Sequence, residues 1–437
     1  MLKTYTYSEL STADLNQLVL RNTDPANAIQ ETVENIIQAV RTKGDDALLD
    51  YAERFDHVKL NQLFLDEEAI QTLAFSIGRE QQRALEIAFN NIHKFHQLQL
   101  RKEKKVDTMP GVTCWREPRP IERVGLYIPG GTAVLPSTFL MLGIPARIAG
   151  CREIVVCSPP QADGKVNGYL AYCAYLLKIK RIYLVGGAQA VAAMAYGTAS
   201  IPKVDKIFGP GNQFVTKAKT IIQATTSTAI DMPAGPSEVL VIANDTSNPD
   251  FVAADLLAQA EHGKDSQAVL VTNSVQLIER VNEALREQLA VLPRAAIAEV
   301  AISNSYAMLC GNLLEAMDFS NRYAPEHLII AVDEWQEITR KIVNAGSVFL
   351  GHLTPESAGD YASGTNHTLP TSAFARSYSG VSVDSFIKKI TFQHITPEGI
   401  ENIGNTIEIL AELEGLQAHK NAVTIRLEAF SNTDSGK

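Results

Sequence analysis

Over the first hundred residues the apolar positions recur every three to four residues, the period of a helix with one buried face. The run "DPANAIQETVENIIQAVRTKGDDALLDYAERFD" opens on Asp24-Pro25, a helix-start pair, and continues at helical spacing. "REQQRALEIAFNNIHKFHQLQL" predicts a second long helix. It carries His93 and His96 beside Lys94, with no acid nearby, so the pair is expected on a solvated polar face rather than around a metal. From about Ile121 the period shortens. The strand-like runs "RVGLYI", "REIVVCS", "RIYLVGG" and "VDKIFGP" alternate with helix-like stretches such as "NGYLAYCAYLLKI" and "AQAVAAMAYGTA". A second series follows: "EVLVIAND", a helix ending at His262, then "SQAVLVTNS", "HLIIAV" and "GSVFLG". Alternation of this kind predicts parallel sheets with helices on both faces. Two such sheets are expected, with a boundary in the Pro- and Gly-rich stretch Asp231 to Val239. The segment "GHLTPESAGDYASGTNHTLPTSAFARSYSG" reads as a long loop, and a loop of that length in a compact protein is usually functional. The last part, "GIENIGNTIEILAELEGLQAHKNAVTIRLEAF", reads as helical.

Composition narrows the classes. A chain of 437 residues is long for one core and implies two or more domains. A net charge of −10 leaves no basic excess for phosphates, which argues against a nucleic-acid binder. No run of about 18 apolar residues exists to span a membrane. The five cysteines (Cys114, Cys151, Cys157, Cys173, Cys310) include no CxxC pair and sit mostly in apolar runs, as thiols of a reducing compartment do. The start "MLKTYTYSEL" lacks the basic and apolar regions of a signal peptide, so a cytoplasmic location is expected.

Three strand ends carry glycine turns, "YIPGGTA", "LVGGAQA" and "FGPGNQF". None is GxGxxG, and turn chemistry alone explains any single one. Three in one sheet point to a nucleotide held in a non-standard way. Gln259 and His262 are three residues apart near a helix end closed by Gly263. They suit a metal, as do Asp360, His367 and His419, but the first two equally suit a helix end whose side chains cover its last carbonyls. Asp360 also reads as a turn residue. In "YAPEHL", Glu326 and His327 are adjacent proton carriers, or a solvated loop.

Taken together, "FGPGN", "PAGPSE", "QAEHG", "PEHL", "SAGDYASGTNH" and "EGLQAHKNAV", in that order over nearly the whole chain, closely resemble the histidinol dehydrogenase family. The resemblance implies oxidation of L-histidinol to L-histidine through L-histidinaldehyde with two NAD⁺, the final two steps of histidine biosynthesis. It implies one Zn²⁺ per subunit on Gln259, His262, Asp360 and His419. Substrate contacts are implied for those four with Ser237, His327 and Glu414, and His367 is expected close by. Tyr127, Gln189 and Asn212, one from each glycine turn, are implied for NAD⁺. His327 is the implied base for the hydroxyl proton and Glu326 the carboxylate that activates water on the aldehyde; no cysteine nucleophile is needed. The implied architecture is α/β, with two incomplete Rossmann-like parallel-sheet domains and helical N- and C-terminal extensions. Its expected parts are 1–25 (N-terminal extension), 26–126 with 238–380 (metal and substrate), 127–237 (NAD⁺ side) and 381–437, a segment crossing to a partner in a homodimer with shared active sites. No nucleic-acid or membrane partner is expected. A zinc hydrolase and a non-catalytic small-molecule binder are the rival readings.

Overall fold

The computed structural model describes every residue except 22–25, 102, 131–133, 233–234 and 435–437. The helix start at Asp24-Pro25, Gly131 of the first glycine turn and Pro233-Ala234 of "PAGPSE" therefore lie outside the described residues. Two compact units result: Met1–Gln99 with Ile121–Phe386, and Leu100–Pro120 with Ile387–Lys437.

The larger unit holds two six-stranded sheets of one topological plan. In the first, Glu238–Ala243 is central; Gln267–Thr272 and Tyr306–Leu309 follow on one side, and His327–Ala331 and Ser347–Leu350 on the other. In the second, Arg123–Tyr127 is central, with Glu153–Ser158 and Ile182–Leu184 on one side and Lys206–Phe208 and Ala229–Ile230 on the other. These strands are parallel throughout, so the expected α/β architecture is realised. The run "EVLVIA" is buried at every position because helices cover both faces of its sheet. Each fully buried Val, Leu or Ile there contributes about 1.5–3 kcal/mol of transfer free energy.

Both sheets gain an edge strand from the N-terminal hundred residues, which the apolar period assigns to helices alone. Lys3–Thr6 pairs parallel with Tyr306–Leu309, and the two-residue Phe64–Leu65 pairs antiparallel with Ile182–Leu184. Strands this short have no readable period; their backbone groups are recruited by open sheet edges. His96 also departs from expectation. It is fully buried, with Nδ1 2.8 Å from the Ile92 carbonyl and Nε2 3.4 Å from Asn366 Nδ2. Asn366 in turn donates to the Met141 carbonyl at 2.6 Å, so His96 is a satisfied core histidine and not a solvated one. His93 stacks on Phe89.

The supposed long loop contains the helix Glu356–Tyr361 and a 3₁₀ turn at Phe374–Arg376. The smaller unit is an antiparallel sheet, Val106–Met109, Val112–Pro120 and Ile387–Ile395, followed by the helices Pro397–Leu413 and Gln417–Asp434. The C-terminal helices match the sequence reading; the sheet does not. Val112–Pro120 carries two prolines and three charged residues, and pairs with Ile387–Ile395 along all nine positions, a partnership 267 or more residues distant in sequence.

Candidate active site and metal centre

A helix that follows a strand in a parallel sheet returns to the strand's starting edge. The helix Pro249–Ala260 does this after Glu238–Ala243, so Gln259, in its last turn, comes back to the amino edge of the first sheet. The helix stops at Ala260, two residues before the expected end. His262 lies in the turn beyond, its N–H donating to the Gln259 carbonyl at 3.2 Å. At the same edge His327 opens its strand, with Val239 opposite it in register. Asp360 and Glu356 arrive on the short helix Glu356–Tyr361. The amino edge is an unusual place for a site, since open parallel sheets normally bind ligands at their carboxyl ends.

His327 is buried among acids. Its Nδ1 lies 3.2 Å from the Glu238 carbonyl, 3.6 Å from Glu356 Oε1 and 3.8 Å from Glu326 Oε2; its Nε2 lies 3.5 Å from Asp360 Oδ1. Burial pushes the imidazole pKa down, but Glu356, Glu326 and Asp360 together carry it up to about 10. Burial raises Glu326 to about 7 and Glu356 to about 8, against the opposing pull of His327. Burial also raises Asp360, yet the close approach and charge of His327 hold it below the usual carboxylate range. Glu326 is fixed by the Glu238 N–H, which donates to its Oε2 at 2.9 Å. The Glu238 side chain is not free to join the cluster: it takes a two-pronged ion pair from Arg21 at 2.9 Å and the Ser372 N–H at 2.8 Å.

This concentration of buried acids suits a cation. Among the described residues, one ligand atom from each of His262, Glu356 and Asp360 can be chosen so that all lie within 4.8 Å of one another. Two atoms there, His327 Nε2 and Glu356 Oε2, are buried with no hydrogen-bond partner, as expected of groups that meet a ligand. Nitrogen and carboxylate donors of this kind fit Zn²⁺. Gln259 is wholly buried beside them. His367 is nearby through Asp360: its Nδ1 donates to the Asp360 carbonyl at 2.9 Å, so its Nε2 accepts from the Thr138 hydroxyl at 3.1 Å. Both of its nitrogens are thereby engaged.

Ser237 precedes the central strand, half-buried, its carbonyl accepting from the Gln267 N–H at 3.1 Å. Glu414 and His419 belong to the smaller unit. Glu414 follows the helix Pro397–Leu413 and His419 lies in the first turn of the next helix, both exposed. Sequence reasoning missed Glu238, Glu356, Asp255 and Arg21. Glu356 had a signal, standing one helical turn before Asp360 in "PESAGDY". Asp255, one turn before Gln259, is pushed up to about 7 by burial and accepts from the Glu356 N–H.

The second and third glycine turns, and Tyr127–Gly130 of the first, lie at the carboxyl edge of the second sheet. Tyr127 is buried, and its hydroxyl accepts from the Gly187 N–H at 3.2 Å; burial pushes its pKa up to about 12. Gly209 has φ +126°, and a Cβ there would meet the Tyr127 carbonyl oxygen at 2.1 Å, so only glycine fits. Asn212 caps the helix Gln213–Thr225, its Oδ1 accepting from the Phe214 and Val215 N–H groups at 3.0 and 3.2 Å. Gln189 is buried in the helix after the second turn. A helix N-terminus beside tight glycine turns can receive an anionic ligand.

A sequence profile described as histidinol dehydrogenase matches residues 19–427. The histidinol dehydrogenase of Bacteroides thetaiotaomicron is 54% identical over 414 residues, 95% of this chain and 96% of that protein. The chloroplastic histidinol dehydrogenase of Arabidopsis thaliana is 51% identical over 430 residues, 98% of this chain and 92% of that one. The crystal structure of histidinol dehydrogenase from Elizabethkingia anophelis is similar with a TM-score of 0.95, at 49% identity, covering 98% of this chain and 99% of that one.

Proposed function

The chain belongs to the histidinol dehydrogenase family, and from that premise we propose that it oxidises L-histidinol to L-histidine through L-histidinaldehyde, using two NAD⁺ and one Zn²⁺ per subunit. The observation that supports this most is the convergence of Gln259, His262, Asp360, Glu326 and His327 at one sheet edge.

Gln259, His262 and Asp360 are the ligands offered by the body of one subunit, with His419 as the fourth. Zinc there would supply orientation for the substrate's imidazole and amino nitrogens. Ser237 and Glu414 complete the substrate contacts. His327 would take the hydroxyl proton as the alcohol carbon loses hydride, and would release it to solvent before the second oxidation. Glu326 takes a proton from the water that adds to the aldehyde. His327, free of its proton again, would take the hydroxyl proton of the hydrate in the second oxidation, each oxidation drawing on one NAD⁺ as the hydride acceptor. Neighbouring carboxylates raise the proton affinity of His327, and a dication held by Asp360 would oppose that pull. Tyr127, Gln189 and Asn212 receive the cofactor.

The protein acts as a cytoplasmic homodimer with shared sites, in which residues 381–437 cross to the partner and bring Glu414 and His419. Exposed Ile409, Leu410, Leu413 and Ile425 on the C-terminal helices, and Leu416 between them, support this, because a lone chain leaves that apolar surface in water. The body divides into 26–126 with 238–380 for metal and substrate and 127–237 for NAD⁺, after an N-terminal extension of 1–25. No described helix is long and apolar enough to cross a membrane, and the net charge of −10 offers nothing to nucleic acid.

The test is NADH formation from L-histidinol and NAD⁺. Two NADH per histidinol are expected, with loss of activity on chelation and recovery with Zn²⁺. Full turnover in protein shown by elemental analysis to be free of metal would remove zinc from the reading; zinc-loaded protein that forms no NADH from L-histidinol would favour a zinc hydrolase or a non-catalytic binder.

A further inference from the structure

Gln259 is the odd member of the proposed ligand set. A side-chain amide carries a donor at one end and an acceptor at the other, and only its oxygen can bind a cation. An unrestrained amide would offer the metal its nitrogen part of the time. The surroundings of Gln259 remove that freedom. One end of the amide faces Glu356 Oε1 at 3.0 Å, the Glu238 carbonyl at 3.2 Å and His327 Nδ1 at 3.3 Å. The Glu238 carbonyl can only accept, so this end must be the NH₂ group. The oxygen is then the end left for the cation.

Glu238 contributes through its backbone, which the central strand holds in place. Glu356 contributes through a side chain that is 1% exposed and makes the shortest of the three contacts. We propose that Glu356 is a positioning residue that orients the Gln259 amide so that its oxygen is presented to the metal. This rests on the zinc reading above and assigns the metal site a supporting carboxylate, much as ligating histidines are oriented by acids behind them. Glu356 acts through the hydrogen bond accepted at Oε1; its charge is not what the role requires.

Zinc affinity of the full-length protein, measured by competition against a chromophoric chelator, tests this. Glu356→Ala removes the acceptor and should weaken zinc binding by about 10–100-fold, the usual cost of losing such support. Glu356→Gln keeps an acceptor oxygen facing Gln259 and should stay within about threefold of wild type. In a Gln259→Ala background the Glu356→Ala change should cost nothing further, because the group it orients is gone. Circular dichroism and melting of the zinc-free variants show whether each is folded, and the Glu356→Gln arm stands even if Glu356→Ala does not fold.

Equal losses in Glu356→Gln and Glu356→Ala would mean that the carboxylate acts by charge or by direct ligation, and the proposal would fall. A full additional loss in the Gln259→Ala background would also overturn it. A wild-type protein that binds no zinc would remove both the zinc reading and this role. Wild-type binding with an unaffected Glu356→Ala would remove the role of Glu356 alone.

Discussion

Two neighbouring residues, Glu326 and His327, separate under mutation if each holds the task given to it. Glu326→Gln keeps the backbone N–H contact from Glu238 within reach but cannot take a proton from water. It should oxidise histidinol at a near wild-type rate and slow on the aldehyde by about 10²–10⁴-fold, the usual size of general-base catalysis. His327→Gln should slow both oxidations. Stopped-flow traces starting from the alcohol and from the aldehyde read the two steps apart, and an equal loss of both steps in Glu326→Gln would contradict the assignment. A carboxyl outside the proposed site, Asp56, contributes to pH-dependent stability. Asp56 follows the helix Asp45–Phe55, and burial raises it from 3.8 to about 6, against the lowering effect of His57. Its folded pKa lies above its unfolded value, so its relative contribution is fully present below about 3.8 and is lost as pH rises through about 6. Asp56→Asn should therefore gain stability over wild type across that rise, seen as a pH-dependent difference in urea midpoint. A constant difference across that window would refute the raised pKa.

Among the elements, the "FGPGN" turn depends on a brace behind it. The helix Gln213–Thr225 carries Lys219, buried, whose ammonium bonds Asp231 and donates to the Gly209 carbonyl at 3.0 Å. Asp231 Oδ2 accepts from the Gly209 N–H at 2.9 Å, so both polar groups of that glycine are held by one buried ion pair. Asp231→Ala leaves the Lys219 charge uncompensated and should destabilise the fold by about 3–5 kcal/mol. It should also raise the KM for NAD⁺ more than it changes kcat, because the turn is disturbed while the sheet edge bearing His327 is not. Urea unfolding and steady-state kinetics check the two parts separately. The brace was not legible beforehand: a lone lysine in a helix-like run signals a solvated face, and only its closeness to Asp231 makes it a core residue.

For the molecule as a whole, the shared-site dimer makes a quantitative prediction. One chain carries His327→Ala and another His419→Ala, and each homodimer should be nearly inactive. In a mixed dimer with crossed tails, one site receives both lesions and the other none. With random exchange half the dimers are mixed, so activity should return to about a quarter of wild type by two-fold counting. If His419 serves its own chain, every site keeps a lesion and confirmed subunit exchange restores nothing.

Much of this protein is local and could be read from the chain. The strand-like runs after Ile121 marked eight of the twelve strands of the two sheets, because each of these buries a short apolar run between turn signals; Lys3–Thr6, Phe64–Leu65, Ala229–Ile230 and Tyr306–Leu309 were not marked. The motifs "QAEHG", "PEHL" and "SAGDY" supplied the chemical groups of the site, since those groups stand in short contiguous stretches. Tertiary structure decided what depends on contacts between distant segments. It set Lys3–Thr6 at a sheet edge, paired Val112–Pro120 with Ile387–Ile395, and buried His96 against Asn366. It also joined Arg21 to Glu238, 217 residues on, and turned Glu356 toward Gln259. No local period carries that information. A buried polar group is satisfied by whichever partner the fold brings to it, and that partner's position is fixed only once the sheets have closed.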